Sequence, residues 1–195
     1  GDVVDANGTV LATSVDTYDV IVDQRQIPSF EERDDDGEVT GRGAVAAARL
    51  LAPILDRDPA ELGAELVGDK GYHRLLRHAT PETWQAIAAL GINGITAERT
   101  SQRVYPNGNT AGNILGWVNA EGDGAAGIES TLNDRLLGTP GSSQVEIGAR
   151  GQVIPTGEQH STRAVPGCDV HLTVDTDLQW HAQQVIDDSV DTWSA

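Results

Sequence analysis

Between Gly43 and Gly91 this chain is patterned for helices, while the stretches on either side are patterned for strands. That interruption restricts it to an α+β arrangement in which a helical insertion sits inside a β-rich body. Ahead of the insertion, Val3-Val4-Asp5-Ala6 and Thr9-Val10-Leu11-Ala12 flank Asn7-Gly8. Asn-Gly readily supplies the positive φ angles of a tight turn, so the chain is expected to open with a β-hairpin. Tyr18 to Asp23 alternates as a third strand, and the acidic run from Glu31 to Glu38 reads as an exposed loop.

Inside the insertion, Val45, Ala48, Leu51 and Leu55 recur at helical spacing, and Asp58-Pro59-Ala60-Glu61 restarts a second helix with a cap and a proline at its first position. Leu75-Leu76 suggests a brief strand. Thr80-Pro81-Glu82 then caps a helix that carries Trp84, Ile87 and Leu90 to a stop at Gly91. Beyond it the extended pattern resumes through Arg103-Val104-Tyr105-Pro106. Two helices are expected next, a short one from Asn109 to Leu115 and a longer one from Ala125 to Leu137 that Gly138 ends. Ser143 to Ile147 and Gln152 to Ile154 read as a hairpin across Gly148-Ala149-Arg150-Gly151. Val170 to Val174 is a last strand, and Thr176 caps an amphipathic helix with Leu178, His181 or Ala182, Val185 and Ile186 on one face.

Composition excludes several classes. A single Phe, three Tyr and four Trp leave the core to Val, Leu, Ile and Ala, which favours thin layers. Thirty acidic against thirteen basic residues give a net charge of -17, which repels nucleic acid and anionic lipid and maintains solubility. No window is apolar enough to span a membrane, so direct membrane insertion by these residues is not expected. The absence of Met is expected of a processed or truncated polypeptide, and the preference for Arg over the sole Lys70 suggests a GC-rich coding sequence. Cys168 stands alone between Gly167 and Asp169, with no cation to activate it, and reads as structural.

The segment from Arg103 to Gly141 carries the chemistry to be weighed. Gly122, Gly124 and Gly127 spell G-x-G-x-x-G before a helical pattern, with Glu146 at about the distance of a ribose-binding acid, which is the form of a dinucleotide turn. Two features oppose it. Asn119 to Glu121 separate the apolar run from the first glycine, and Glu121 and Asp123 would set carboxylates against a pyrophosphate. Asn119, Glu121 and Asp123 also match the first half of a calcium loop, but the twelfth position is Ser130 and Glu129 misses it by one. There is no H-E-x-x-H, no multi-cysteine zinc pattern and no Gly-x-Ser-x-Gly, so neither a metal nor a cofactor is expected.

The same segment resembles the central signature of the N-terminal, non-penicillin-binding module of class B penicillin-binding proteins. The matching residues are Arg103-x-Tyr105-Pro106, Gly116-Trp117-Val118, Gly127-Ile128-Glu129, Leu136-Leu137-Gly138 and Gly141. Two further blocks agree in order. Gly1-Asp2-Val3-Val4-Asp5-Ala6-Asn7-Gly8 with Leu11-Ala12 is similar to the family's opening hairpin. Gly167-x-Asp169-Val170-x-Leu172-Thr173-Val174-Asp175 with Leu178-Gln179 is similar to its junction into the transpeptidase domain. Ala6, where Arg is common, and Trp117, where Tyr is usual, depart from the pattern.

The resemblance implies a β-rich pedestal of hairpins and extended strands, at 1–27 and 100–176, carrying an inserted, mostly helical head at 28–99. Residues 177–195 would be a helix leading toward a transpeptidase domain. It implies a non-catalytic scaffold of a division-type parent on the extracytoplasmic face of a bacterial membrane. The partners implied are membrane-embedded cell-wall synthesis and division proteins, the parent's own transpeptidase domain and a second copy of the chain. The residues it singles out for structural or interaction roles are Asn7, Gly8, Arg103, Tyr105, Pro106, Gly116, Gly127, Glu129, Gly138, Gly141, Asp175 and Gln179. Arg103 and Glu129 are the charged members of apolar or glycine-rich surroundings, so an ion pair is expected between them, valuable for register more than for net stability. The transpeptidase itself would need Ser-x-x-Lys and Lys-Thr/Ser-Gly. Val67 stands where that serine would precede Lys70, and Gly71 follows, so these residues do not carry that chemistry.

Overall fold

The computed structural model describes residues 1–145 and 159–193. In chain order its elements are β1 (Val3–Val4), β2 (Val10–Val22), a 3-10 turn at Ile27–Ser29, β3 (Glu31–Arg33), β4 (Val39–Arg42), α1 (Gly43–Leu55) and α2 (Pro59–Leu66). There follow β5 (His73–Ala79), α3 (Pro81–Ala89), β6 (Ile95–Val104), α4 (Gly112–Leu115), α5 (Gly127–Thr131) and α6 (Asn133–Leu136). Last come β7 (Ser142–Val145), β8 (Gln159–Thr162), β9 (Val170–His171) and α7 (Thr176–Trp193). The fold is α+β. The chain divides into two compact units, one of Gly1–Ser14 with Arg103–Ala195 and one of Val15–Gln102. The divisions fall at 14/15, within β2, and at 102/103, within β6, whereas the resemblance implies 27/28 and 99/100.

In the first unit, β1 lies between two partners. Val3 and Val4 pair antiparallel with Ala12 and Val10 of β2, and parallel with Val170 and His171 of β9. The turn between β1 and β2 is the Asn7-Gly8 turn, with Gly8 at φ 86 and its N–H donated to Asp5 O. The core beneath joins Val3, Leu11, Ala12, Ala111, Leu115 and Leu136, flanked by Tyr105, Ile128, Leu132, Val170, Leu172 and Val174. These residues come from both ends of the chain and its middle.

In the second unit, β5 pairs antiparallel with the far half of β2, Tyr18 to Val22, and the helices cover this pair. Asp58 accepts from the N–H groups of Ala60 and Glu61 at 2.8 and 3.2 Å to start α2 behind Pro59. Thr80 Oγ1 accepts from Thr83 N at 3.2 Å to start α3. Each cap satisfies donors that a helix start leaves open. Small residues of α1, Ala46, Ala47, Ala48 and Ala52, allow close approach, and Leu51 joins Leu62, Leu66, Val20, Val22, Leu75 and Ile87 in one buried cluster. Burying each such leucine stabilises by about 1.5–3 kcal/mol.

Local patterning failed at several places for identifiable reasons. The acidic run is not a loop throughout: β3 and β4 pair there as a hairpin. Asp34 Oδ1 accepts from Asp36 N and Glu38 N to close its turn, and Arg33, Arg42 and Arg49 offset Glu31 and Glu32. The helix expected from Ala125 to Leu137 is two short ones, α5 and α6, broken at Leu132 with ψ 20, where Asn133 Oδ1 accepts from Gly124 N at 2.7 Å. The short helix expected from Asn109 contracts to α4. β7 pairs with β8, Val145 opposite Gln159, whereas its expected partner Gln152 to Ile154 lies outside the described residues. The last strand is shorter than expected. Thr176 is the first residue of α7 and not its cap; Asp175 caps it, accepting from Leu178 N at 3.0 Å.

Candidate functional site: a buried ion pair and a hairpin-to-helix latch

Two polar clusters in the first unit gather most of the residues singled out by sequence. One centres on Arg103, at the end of β6. Its Nε donates to Glu129 Oε1 at 2.7 Å, and Nη1 donates to Gly1 O at 2.7 Å and to Ser14 Oγ at 3.3 Å. Only 7% of the Arg103 side chain and 3% of the Glu129 side chain are exposed, unlike the other ion pairs of the described residues, which lie nearer the surface. Exposed pairs contribute little, whereas a buried one is costly to break and nearly neutral to replace whole. Arg103 thereby ties β6, α5 and the chain ahead of β1 into one register.

Tyr105 packs beside this pair within the apolar cluster, and burial, reinforced by the Glu129 charge, pushes its hydroxyl pKa up. Pro106 follows in a turn closed by Gly108 N to Tyr105 O at 3.1 Å, where a proline's fixed φ suits the second position. Asn107 Nδ2 then donates to Val10 O at 3.0 Å. Gly116 and Gly127 meet backbone to backbone. At Gly116, φ is 76, and a Cβ there would collide with Ala126 O. At Gly127, φ is 57, and a Cβ would meet Gly116 N and Ile114 O at 2.6 Å. No other residue tolerates both the left-handed conformation and the approach. That contact seats Glu129 opposite Arg103.

The second cluster is a latch. Asp5 is buried and its carboxylate accepts four hydrogen bonds: Oδ1 from Asn7 N and Thr9 N, both at 2.8 Å, and Oδ2 from Thr176 N at 3.2 Å and Thr176 Oγ1 at 2.7 Å. The Thr176 hydroxyl foremost, then the backbone donors, hold its pKa down to about 2 against the opposing effect of burial. Beside it Asn7 Nδ2 donates to Asp175 Oδ2 at 3.0 Å, and Ala6 N donates to Val174 O at 2.9 Å. The Leu178 N–H and the Asn7 amide lower the Asp175 pKa. Gln179 joins only through its N–H, donated to Asp175 O at 2.9 Å. The opening hairpin therefore fixes the first turn of α7.

Gly138 and Gly141 belong to neither cluster. Gly138 packs against Val165 to Gly167, and Gly141 against Thr162 and Ala164, beside the bridge of Thr139 with Val165. Asp5 and Thr176 fall within the matched blocks, but no sequence pattern links them, and none marks Asn107 or Asn133. The one available signal was Asp5 itself, a charge between apolar strand residues.

The glycine-rich spelling does not form a dinucleotide turn. Ile114, in the apolar run ahead of the first glycine, lies in α4, and the helix that starts at Gly127 has five residues. Gly124 N is spent on Asn133, and Asn119 Oδ1 accepts from Glu121 N and Asp123 N at 3.0 and 2.9 Å. The backbone N–H groups a phosphate would need there serve the loop itself.

Comparison with known proteins gives one consistent neighbourhood. The family model described as the Penicillin-binding Protein dimerisation domain matches residues 1–172. The penicillin-binding protein PbpB of Mycobacterium tuberculosis is 30% identical over 192 residues, 95% of this chain and 28% of that protein. The probable peptidoglycan D,D-transpeptidase FtsI of Caulobacter vibrioides is 34% identical over 158 residues, 78% of this chain and 24% of that protein. A crystal structure of a peptidoglycan synthetase from Bifidobacterium adolescentis superposes with a TM-score of 0.60 at 37% identity, over 98% of this chain and 38% of that one. The chain thus spans under a third of the length of these curated relatives.

Proposed function

Because the chain belongs to the penicillin-binding protein dimerisation domain family, we propose that it is a non-catalytic scaffold and interaction module of a peptidoglycan transpeptidase. In this reading it spaces a catalytic domain from the outer face of a bacterial membrane and docks membrane-embedded wall-synthesis and division proteins. The observation that carries it is where the polar groups go. Arg103 and Glu129 neutralise each other in the interior, and the Asp5 carboxylate is saturated by hydrogen bonds within the fold. Charges placed this way hold register; they do not move protons for a substrate.

α7 supports the other half of the proposal. Its first turn is latched to the hairpin, while Leu178, Val185, Ile186, Val190 and Trp193 remain exposed along its length. A helix fixed at one end with an uncovered apolar face suits a junction onto the parent's own transpeptidase domain. The Gln179-Trp180-x-Ala182-Gln183 helix and the long insertion favour a division-type parent over an elongation-type one. A nucleotide-dependent enzyme is the competing class, and the Gly122 to Gly127 geometry weighs against it.

A fluorescent β-lactam should label the parent and leave this chain unlabelled, and titration with NAD or ATP should show no saturation. Capture of an identified membrane-embedded wall-synthesis protein by the tethered chain is the expected positive result. Saturable micromolar nucleotide binding, or covalent labelling by the β-lactam, would overturn the scaffold reading. Sedimentation of the isolated chain decides whether it also forms a homodimer.

A further inference from the structure

The second unit carries a groove of about 330 Å³ whose walls come from the 3-10 turn, the start of α1 and the end of α2. Ile27, Pro28, Ala44, Leu66 and Val67 make it apolar, and Arg42 is the one charged residue among the described residues that line it. Ile27 and Leu66 are buried and serve as its floor, whereas Val67 is 66% exposed. Val45, which follows Ala44 and which helical spacing sets with Ala48 and Leu51, is 82% exposed as well. Gln24 also lines the groove, but its amide is held by the fold: Nε2 donates to Glu65 O at 2.7 Å and Oε1 accepts from Lys70 N at 3.1 Å.

The charge here is opposite to that of the chain, which is -17 overall. The first turn of α1 holds no acid, and its positive end adds to the charge of Arg42. Arg42 Nη2 pairs with Glu31 Oε1 at 3.1 Å, but Arg33 shares that carboxylate at 2.5 Å, and 71% of the Arg42 side chain stays exposed. Its other donors therefore face water.

We propose that this groove docks an extended segment of a partner protein in which an aliphatic side chain stands beside an Asp or Glu. The aliphatic group lies against Ile27, Leu66 and Val67, and the carboxylate meets Arg42. The proposal rests on the scaffold reading above and adds a docking surface to it. A second copy of the chain is a poor occupant, because two bodies each at -17 repel. The volume lies at the small end of the roughly 300–1,000 Å³ of ligand sites, which suits a short segment and not a whole helix. Apolar contact supplies the affinity, and the single cation selects among segments.

The experiment is titration of the full isotope-labelled chain with blocked tetrapeptides, followed by amide chemical shifts. Acetyl-Gly-Leu-Asp-Gly-amide should give saturable shifts at Ala44, Val67 and Gly68 while the first unit's amides stay in place. Replacing its Asp by Asn should weaken binding roughly two- to fivefold, the range of an exposed ion pair. Arg42→Gln should weaken the Asp peptide by the same factor and leave the Asn peptide unchanged. Val67→Ser, at an exposed position, should weaken both peptides alike. No saturable shift at the groove with the Asp peptide would overturn the proposal. So would equal affinity for the Asn peptide, or indifference to Arg42→Gln. A concentration-dependent dimer that Val67→Ser dissolves would assign the groove to a second copy and overturn it too. The β-lactam and nucleotide titrations, which do not involve these residues, judge the scaffold reading separately.

Discussion

Glu129→Ala tests the central contact most directly. The substitution leaves the Arg103 guanidinium in a site where 7% of its side chain is exposed, still bonded to Gly1 O and Ser14 Oγ through Nη1. Its Nε loses the carboxylate at 2.7 Å, and Nη2 already lacks a partner among the described residues. Leaving one charge of a buried pair uncompensated costs about 3–5 kcal/mol. In a chain of this length each kcal/mol moves the midpoint by roughly 2–4 °C, so a fall of about 6–20 °C is expected for the first unit. Arg103→Ala should cost a comparable amount. The double variant Arg103→Met, Glu129→Leu removes both charges and should return to within about 2 kcal/mol of wild type, because the apolar pair has no desolvation to offset. Urea unfolding followed by far-UV circular dichroism gives the free energies. Hydrogen exchange at the Leu172 amide, donated to Val4 O at 2.8 Å, reports the first unit separately. A strictly additive cycle, or single variants within about 0.5 kcal/mol of wild type, would refute the reasoning.

Four further outcomes are expected. Gly116→Ala forces a Cβ into Ala126 O at φ 76 and should destabilise the first unit far beyond the roughly 1 kcal/mol of an ordinary glycine substitution; thermal melting checks this. Leu51→Ala opens a cavity in the second unit and should cost about 2–5 kcal/mol, read from exchange of the β5 amides, with the first unit's amides less affected. The Asp5 pKa is depressed from 3.8 to about 2, so its contribution is present above pH ~4 and lost as pH falls toward 2. The stability gap between wild type and Asp5→Asn should therefore narrow across that window, and a gap constant down to pH 2 would count against the latch. For Tyr105 the sign is opposite: its raised hydroxyl favours the folded state up to the ordinary tyrosine pKa of 10.0, and this is lost at higher pH. Absorbance at alkaline pH should show a late-ionising tyrosine that Tyr105→Phe removes.

The latch and the ion pair place their stability in different terms. The pair gains little relative to apolar replacements and punishes mispairing, so it acts on which β6 register survives. The latch spends its donors at a helix start that would otherwise be open, and it does so from the far end of the chain, Asp5 to Thr176. The latch makes the start of α7 depend on the opening hairpin, and the pair ties β6 and α5 to the chain ahead of β1.

Elements whose causes lie within one turn or one hairpin were readable from residues alone. Asn7-Gly8, Asp58-Pro59 and Thr80-Pro81 each form the turn or cap they spell, because the groups that satisfy one another sit within four positions. The charged pair was legible for a different reason: two opposite charges in apolar surroundings leave few alternatives to meeting. What local pattern could not supply was any contact whose partners are far apart in sequence. Asn133 reaching Gly124 breaks a helix that periodicity drew as continuous, and Asp175 displaces Thr176 as cap because the Thr176 hydroxyl is drawn to Asp5. The glycines changed meaning in the same way. Read alone they spell a phosphate turn, but Gly116 and Gly127 are glycines because two backbones touch there, and only the folded chain brings those backbones together.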